Sequence, residues 1–179
     1  MDGSLMAGWE NFYVITGSAA GGLTGLTFVV IALVADAKEV TTSGLRGFVT
    51  PTMVHFGTVL ALAAFASAPH LHALALSAGF GIAGVGGLLY LCTVATHLRT
   101  QGPEYVPVFE DWAWNVVLPM LAYLLLTLAS YLLWREPALA LAGVAAASLG
   151  LLFVGIHNAW DIAVWMTVFR KRLQGTREP

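Results

Sequence analysis

Five apolar runs divide the chain, at residues 12–35, 47–68, 74–98, 112–134 and 138–169, and the charged residues fall almost wholly between them. Each run is near or above the roughly 20 residues a helix needs to cross the hydrocarbon core of a bilayer. The runs are continuously apolar, whereas the strands of a membrane barrel would alternate apolar and polar side chains over about ten residues. The pattern predicts an all-α fold: a polytopic bundle of five transmembrane helices forming one transmembrane domain over residues 1–179. The first run is too long for the apolar part of a cleavable signal and lacks a basic start, so it is expected to remain as a span. The last run carries one formal charge, Asp161, and is followed at once by Arg170, Lys171 and Arg172.

Small residues recur at four-residue spacing within three of the runs. Gly17, Gly21 and Gly25 mark the first, Ala75, Gly79, Ala83 and Gly87 the third, and Ala142, Ala146 and Gly150 the fifth. Such stripes let helix backbones approach closely where lipid removes the hydrophobic drive for association. Gly17, Gly21, Gly25, Gly79 and Gly87 are therefore read as packing positions, within one bundle or between subunits. The second and fourth runs carry interior prolines, Pro51 and Pro119, each followed by another proline at Pro69 and Pro137. A proline within a span frees the carbonyl four residues back, here Gly47 and Asn115, and bends the helix, so both are candidate hinges. Pro51 can instead begin its helix with Thr50 as the cap. The matched prolines also suggest a parallel repeat of helices one-two and three-four, with the fifth appended.

Composition agrees with a lipid-facing surface: 58% of residues are hydrophobic and 10% charged, against about 25% charged in a soluble domain. A net charge of -2 without a basic stripe argues against nucleic acid as a partner. The lone Cys92 lies within a span and offers no disulfide framework. With five spans, Lys38, Arg46, Arg99, Arg170, Lys171, Arg172 and Arg177 fall on one side and Arg135 alone on the other. Because Lys and Arg are retained in the cytoplasm, this orients the chain with the N-terminus outside and the C-terminus cytoplasmic. Trp9 and Trp134 then lie at the outer interface, and Trp112, Trp114 and Trp165 near the inner one. The basic tail reads as an anchor to anionic lipid headgroups. The segment Trp9-Glu10-Asn11-Phe12-Tyr13 leading into a glycine-rich helix has the look of small bacterial membrane proteins, so the cell inner membrane is the expected location.

In that orientation the polar residues within the spans gather in the cytoplasmic half: His55, His97, Asn115, His157, Asn158 and Asp161. His157 and Asp161 are four apart and share a helix face, an arrangement in which a carboxylate fixes an imidazole tautomer or stabilises its charged form. If Asp161 reaches the headgroups instead, it pairs with water and nearby cations. Convergence of these groups would suit a proton or cation path. Three imidazoles and a carboxylate would equally suit a metal, and two histidines on different helices a haem, so the cofactor is left open. Glu104, Glu110 and Asp111 form a polar loop, or a ring of carboxylates in an oligomer. No zinc-protease motif and no Gly-x-Ser-x-Gly turn is present, and no enzymatic activity is expected. The leading expectation is an oligomeric ion-channel or transporter, with His55, His157, Asn158, Asp161, His97 and Asn115 on the path. A membrane module that packs against and regulates a partner protein is the alternative, followed by a metal- or haem-binding membrane protein.

Overall fold

The computed structural model describes residues 6–35, 50–100 and 108–175, with side chains described for residues 6–32, 50–100 and 108–164. Among these residues every regular element is a helix: α1 Glu10–Ala35, α2 Thr50–Ala66, α3 Ala73–Arg99, α4 Phe109–Leu132 and α5 Pro137–Gly175. Helices α1, α3, α4 and α5 are long and apolar enough to cross a membrane. The protein is a membrane-embedded helical bundle. Lys38, Arg46, Glu104 and Arg177 lie outside the described residues, as do the side chains of Trp165, Arg170, Lys171 and Arg172.

Helix α2 is the short member. Its 17 residues rise about 25 Å, short of the roughly 30 Å of hydrocarbon. The sequence pattern ends this span at residue 68, but the helix ends at Ala66. Ser67 N–H closes the last turn onto the Ala63 carbonyl, and Ala68 N–H bonds the Phe65 carbonyl, each at 3.0 Å. Pro69 then stops the helix, and His70 takes a left-handed conformation (φ 59) that turns the chain into α3. Pro51 lies in the first turn of the described helix, where a missing N–H costs no intrahelical bond. Gly47, whose carbonyl it would free, lies outside the described residues.

Pro119 has a different setting. The turn before it, Ala113–Val117, is a π-helical segment. Without an N–H, Pro119 cannot pair with the Asn115 carbonyl and its ring presses on that carbonyl; widening the helix here relieves the contact. Helix α4 starts at Phe109, a turn earlier than the apolar run, because the Asp111 carboxylate accepts the Val108 N–H at 2.9 Å and closes the first turn. Helix α1 likewise starts at Glu10, whose carboxylate accepts the Gly8 N–H at 2.8 Å, with Gly8 itself at φ 87.

Helices α1 and α2 pack side by side, α3 packs along α4, and α5 runs between the two pairs in contact with α4, α2 and α1. Of the membrane-crossing stretch of α5, 56% is buried, against 22% for α1 and for α3, so α5 is the central helix and α1 and α3 are edges. Small residues set these approaches. A methyl added at Gly17 would lie 2.8 Å from the Ala63 Cβ, and one at Gly87 would overlap the Tyr123 ring. A methyl at Gly79 would overlap Phe65, and one at Gly155 would overlap Phe56. Gly21 stands opposite Leu60, whereas Gly25 faces open space. The largest buried side chains, Tyr13, Tyr123, Phe56, Phe80 and Leu76, fill the interior between them.

Candidate functional site

The prolines at 51 and 119 are 68 residues apart, and one turn beyond each stands a polar ring, His55 and Tyr123. These two rings, also 68 apart, meet: His55 Nδ1 is 3.0 Å from the Tyr123 hydroxyl, and both residues are 0% exposed. Gly87 makes this possible, since its bare α-carbon lets the Tyr123 ring lie flat between α3 and α4 and send its hydroxyl toward α2. Thr58 Oγ1 is 3.3 Å from the same hydroxyl and 2.8 Å from the Val54 carbonyl.

Proton accounting gives this cluster a direction. The Val54 carbonyl can only accept, so the Thr58 O–H goes to it, and Thr58 oxygen is left to accept from Tyr123. The Tyr123 oxygen then accepts from His55 Nδ1–H. Every donor in the chain His55, Tyr123, Thr58, Val54 is used in this arrangement, and His55 Nε2 of the neutral ring carries a bare lone pair. The opposite arrangement would leave Nε2–H as an unpaired buried donor, a rarer situation than an unpaired acceptor. Nε2 is buried and has no hydrogen-bond partner.

Toward the Arg99 end of the bundle, where α3 finishes and α2 and α4 begin, a second polar layer crosses from α4 to α5. Asn158 Nδ2 donates to Asn115 Oδ1 at 3.3 Å, and Asn115 Nδ2 donates to the Asp111 carbonyl at 3.0 Å. Both asparagines are buried. The π turn holds Asn115 in this position, and the same turn presents Trp114, whose ring stacks on His157 with centroids 3.6 Å apart and planes within 8°. His157 Nδ1 stands 3.3 Å from the Asp161 carboxylate, within ion-pair reach but not aligned as a hydrogen bond. The Asp161 side chain is 60% exposed and that of His157 25%, which puts the carboxylate at the rim and the imidazole at the threshold of the interior.

Along α5 these groups descend in order: Asp161 at the rim, Asn158 bonded to Asn115, His157 stacked on Trp114, and then Gly155, which packs on Phe56 beside His55. Six residues of helix separate Asp161 from Gly155, about 9 Å. The structure thus brings His55, Asn115, His157, Asn158 and Asp161 to one end of α2, α4 and α5. His97 is not among them: it is exposed on the last turn of α3, an edge helix. Among the described residues no three of His, Cys, Asp and Glu form a group able to hold a metal ion. Arg99 lies 5.7 Å over the Trp112 ring, flanking the same end.

Tyr123, Thr58 and Trp114 complete the cluster, and nothing in their immediate sequence marks them as polar partners. The 68-residue offset that pairs the prolines also pairs His55 with Tyr123 and is the signal that finds it. Trp114 reads in sequence as an interfacial tryptophan, and only the register of α4 on α5 turns it toward His157. No protein family, curated protein or solved structure matches the chain.

Proposed function

We propose that this protein is an oligomeric inner-membrane bundle that moves protons across the bilayer, with His55 as the intramembrane group that takes up and releases them. The observation that carries the reading is the unpartnered Nε2 of a fully buried imidazole, held in orientation by Tyr123 and Thr58, whose neighbour Phe56 packs on Gly155, about 9 Å along α5 from Asp161. An unpaired buried polar atom costs about 1–3 kcal/mol, so its retention calls for a use. Ionisable groups within membrane helices are used in that way in proton relays. A proton is favoured over a larger cation by the ligands present. A cation shedding its water needs a ring of oxygens, whereas the group that carries this reading is an imidazole nitrogen.

In this reading the chain crosses the membrane five times, with the N-terminus outside and the Arg99 end cytoplasmic, so the polar track opens to the cytoplasm and the basic tail meets anionic headgroups. Asp161 gathers protons at the rim, the His157 ring beside the asparagine pair passes them inward, and His55 Nε2 receives them. The test is proton flux into proteoliposomes driven by a potassium diffusion potential and read by an entrapped pH-sensitive dye. Flux well above empty vesicles that is lost in His55→Gln is the expected result. Flux no greater than that of empty vesicles at acid, neutral and alkaline pH would sink the reading.

A second reading, packing against another chain, is supported by a specific observation. On α1 the residues Ser18, Gly22 and Gly25 are exposed, and a methyl at Gly22 or Gly25 would meet nothing within 4 Å. Small residues facing outward on an edge helix suit close approach by another span, whether a second copy or a partner protein. Gly25→Leu should then dissociate the assembly while leaving the bundle folded, as judged by mass and by thermal unfolding in detergent.

A further inference from the structure

Three buried side-chain atoms among the described residues lack a hydrogen-bond partner: His157 Nδ1, His55 Nε2 and the Tyr13 hydroxyl. Each can take up and give off a proton. Other buried hydroxyls and amides are satisfied: Thr16, Thr27 and Ser148 donate to carbonyls one turn back, and Asn158 donates to Asn115. His157 and His55 belong to the polar track. Tyr13 lies at the other end of the molecule, on the first turn of α1, with its side chain 2% exposed and its ring edge-on to Phe12 at 5.2 Å. Trp9 and Phe12 pack over the same part of the core.

We infer that the Tyr13 hydroxyl is the proton-exchange group at the Arg135 end, where α4 finishes and α3 and α5 begin; the inference rests on the proton-moving reading of His55. From Tyr13 the contact of α1 on α2 passes the tight approach of Gly17 on the Ala63 methyl and then Leu60 opposite Gly21. A further feature of the fold points the same way. The Thr16 hydroxyl, one turn beyond Tyr13, spends its proton on the Phe12 carbonyl at 2.9 Å and keeps its oxygen as an acceptor along the way. The step at Tyr13 balances without any co-reactant. A proton binds a lone pair of the phenolic oxygen as the original O–H proton departs to water on the other side, and no charge is stored and no electron moves.

Tyr13→Phe removes one oxygen atom and keeps the ring. In proteoliposomes it is expected to lower proton flux at least about tenfold, the lower range of what a positioned proton-transfer group contributes, with the thermal midpoint in detergent held or raised. Tyr13→His puts an exchangeable proton back and is expected to restore flux to within a few fold of the unaltered protein. If Tyr13→Phe conducts as well as the unaltered protein while His55→Gln does not, the role of Tyr13 is overturned and that of His55 stands. If the unaltered protein conducts no better than empty vesicles, both fall together. Loss of folded protein in Tyr13→Phe would make the hydroxyl a structural group and overturn the inference as well.

Discussion

The two helix pairs on either side of α5 are built to different standards of completeness. In the α3/α4 pair the hydroxyls between the helices are spent. Ser77 donates to the Ser130 carbonyl at 2.7 Å, Trp134 Nε1 donates to Ser77 at 3.3 Å, Ser130 donates to the Thr127 carbonyl, and Thr127 donates to the Tyr123 carbonyl. Glycines at 81, 84 and 87 receive Ser130, Thr127 and Tyr123 in turn. The α1/α2 pair has the same close approach at Gly17 and Ala63, but its helices carry two of the three buried unpartnered atoms, the Tyr13 hydroxyl and His55 Nε2. One seam is a fastening. The other leaves buried polar atoms unpaired, at a cost the first seam shows this protein is able to avoid.

The largest expected effects fall on the fastened pair. A methyl at Gly84 would run into the backbone of Thr127, and one at Gly87 into the Tyr123 ring, so neither site has a flexible neighbour to yield. Gly84→Val and Gly87→Val should each lower stability by ~3 kcal/mol, seen as loss of folded protein during thermal unfolding in detergent. Gly86→Val, on the outward face of the same helix where a methyl meets nothing, should change it little. Equal losses at Gly86 and Gly87 would mean that glycine at these positions serves backbone conformation and not the seam.

A sharper contrast uses the same substitution in both pairs. Tyr123→Phe takes the hydroxyl away from His55 Nδ1 and Thr58, so the imidazole loses its one described hydrogen bond. It should cost about 1–3 kcal/mol, the penalty for stranding a buried polar group. Tyr13→Phe removes a hydroxyl that has no partner and should leave stability unchanged or raise it by up to a similar amount. If the two substitutions destabilise equally, the distinction between a finished and an unfinished seam is lost. Between these extremes, Asn158→Ala should cost about 1 kcal/mol, since it withdraws the donor from a buried Asn115 carbonyl oxygen that a second side-chain amide now satisfies.

How much of this was legible in sequence follows from the physics of each feature. The helices were, because the length of an apolar run is itself what a bilayer selects. Their ends were less so: α2 stops at Ala66 for reasons local to Pro69 and His70, and α4 starts early because Asp111 closes its first turn. The glycine stripe of α1 marks packing positions without saying what each one packs against, because a four-residue step advances about 40° too far round a helix of 3.6 residues per turn. Two steps from Gly17, Gly25 has rotated off the seam and faces outward. The spacing of His157 and Asp161 was enough to pair them, since neighbours one turn apart share a face. The partners of His55 were not foreseen, because whether a tyrosine in an apolar run meets lipid or an imidazole depends on the register between helices far apart in sequence. That an atom lacks a partner is likewise a property of packing alone.

The smallest expected effect tests whether the rim and the core belong to one path or to two environments. Asp161 is more than half exposed, and its contact with His157 is poorly aligned, so Asp161→Asn should shift stability by less than about 0.5 kcal/mol. Its consequence should be kinetic. A carboxylate at the mouth of a polar track raises the local proton concentration, and that attraction is screened by salt. Asp161→Asn should therefore slow proton entry severalfold at low ionic strength. The difference from the unaltered protein should vanish near 1 M salt, where the screening length falls to about 3 Å. His55→Gln, by contrast, should be defective at every salt concentration, because its site is fully buried and beyond the reach of screening ions. An Asp161→Asn defect that persists undiminished in high salt would mean that the carboxylate hands protons on by direct contact, and the boundary drawn here between a solvated rim and a dry core would have to move outward past it.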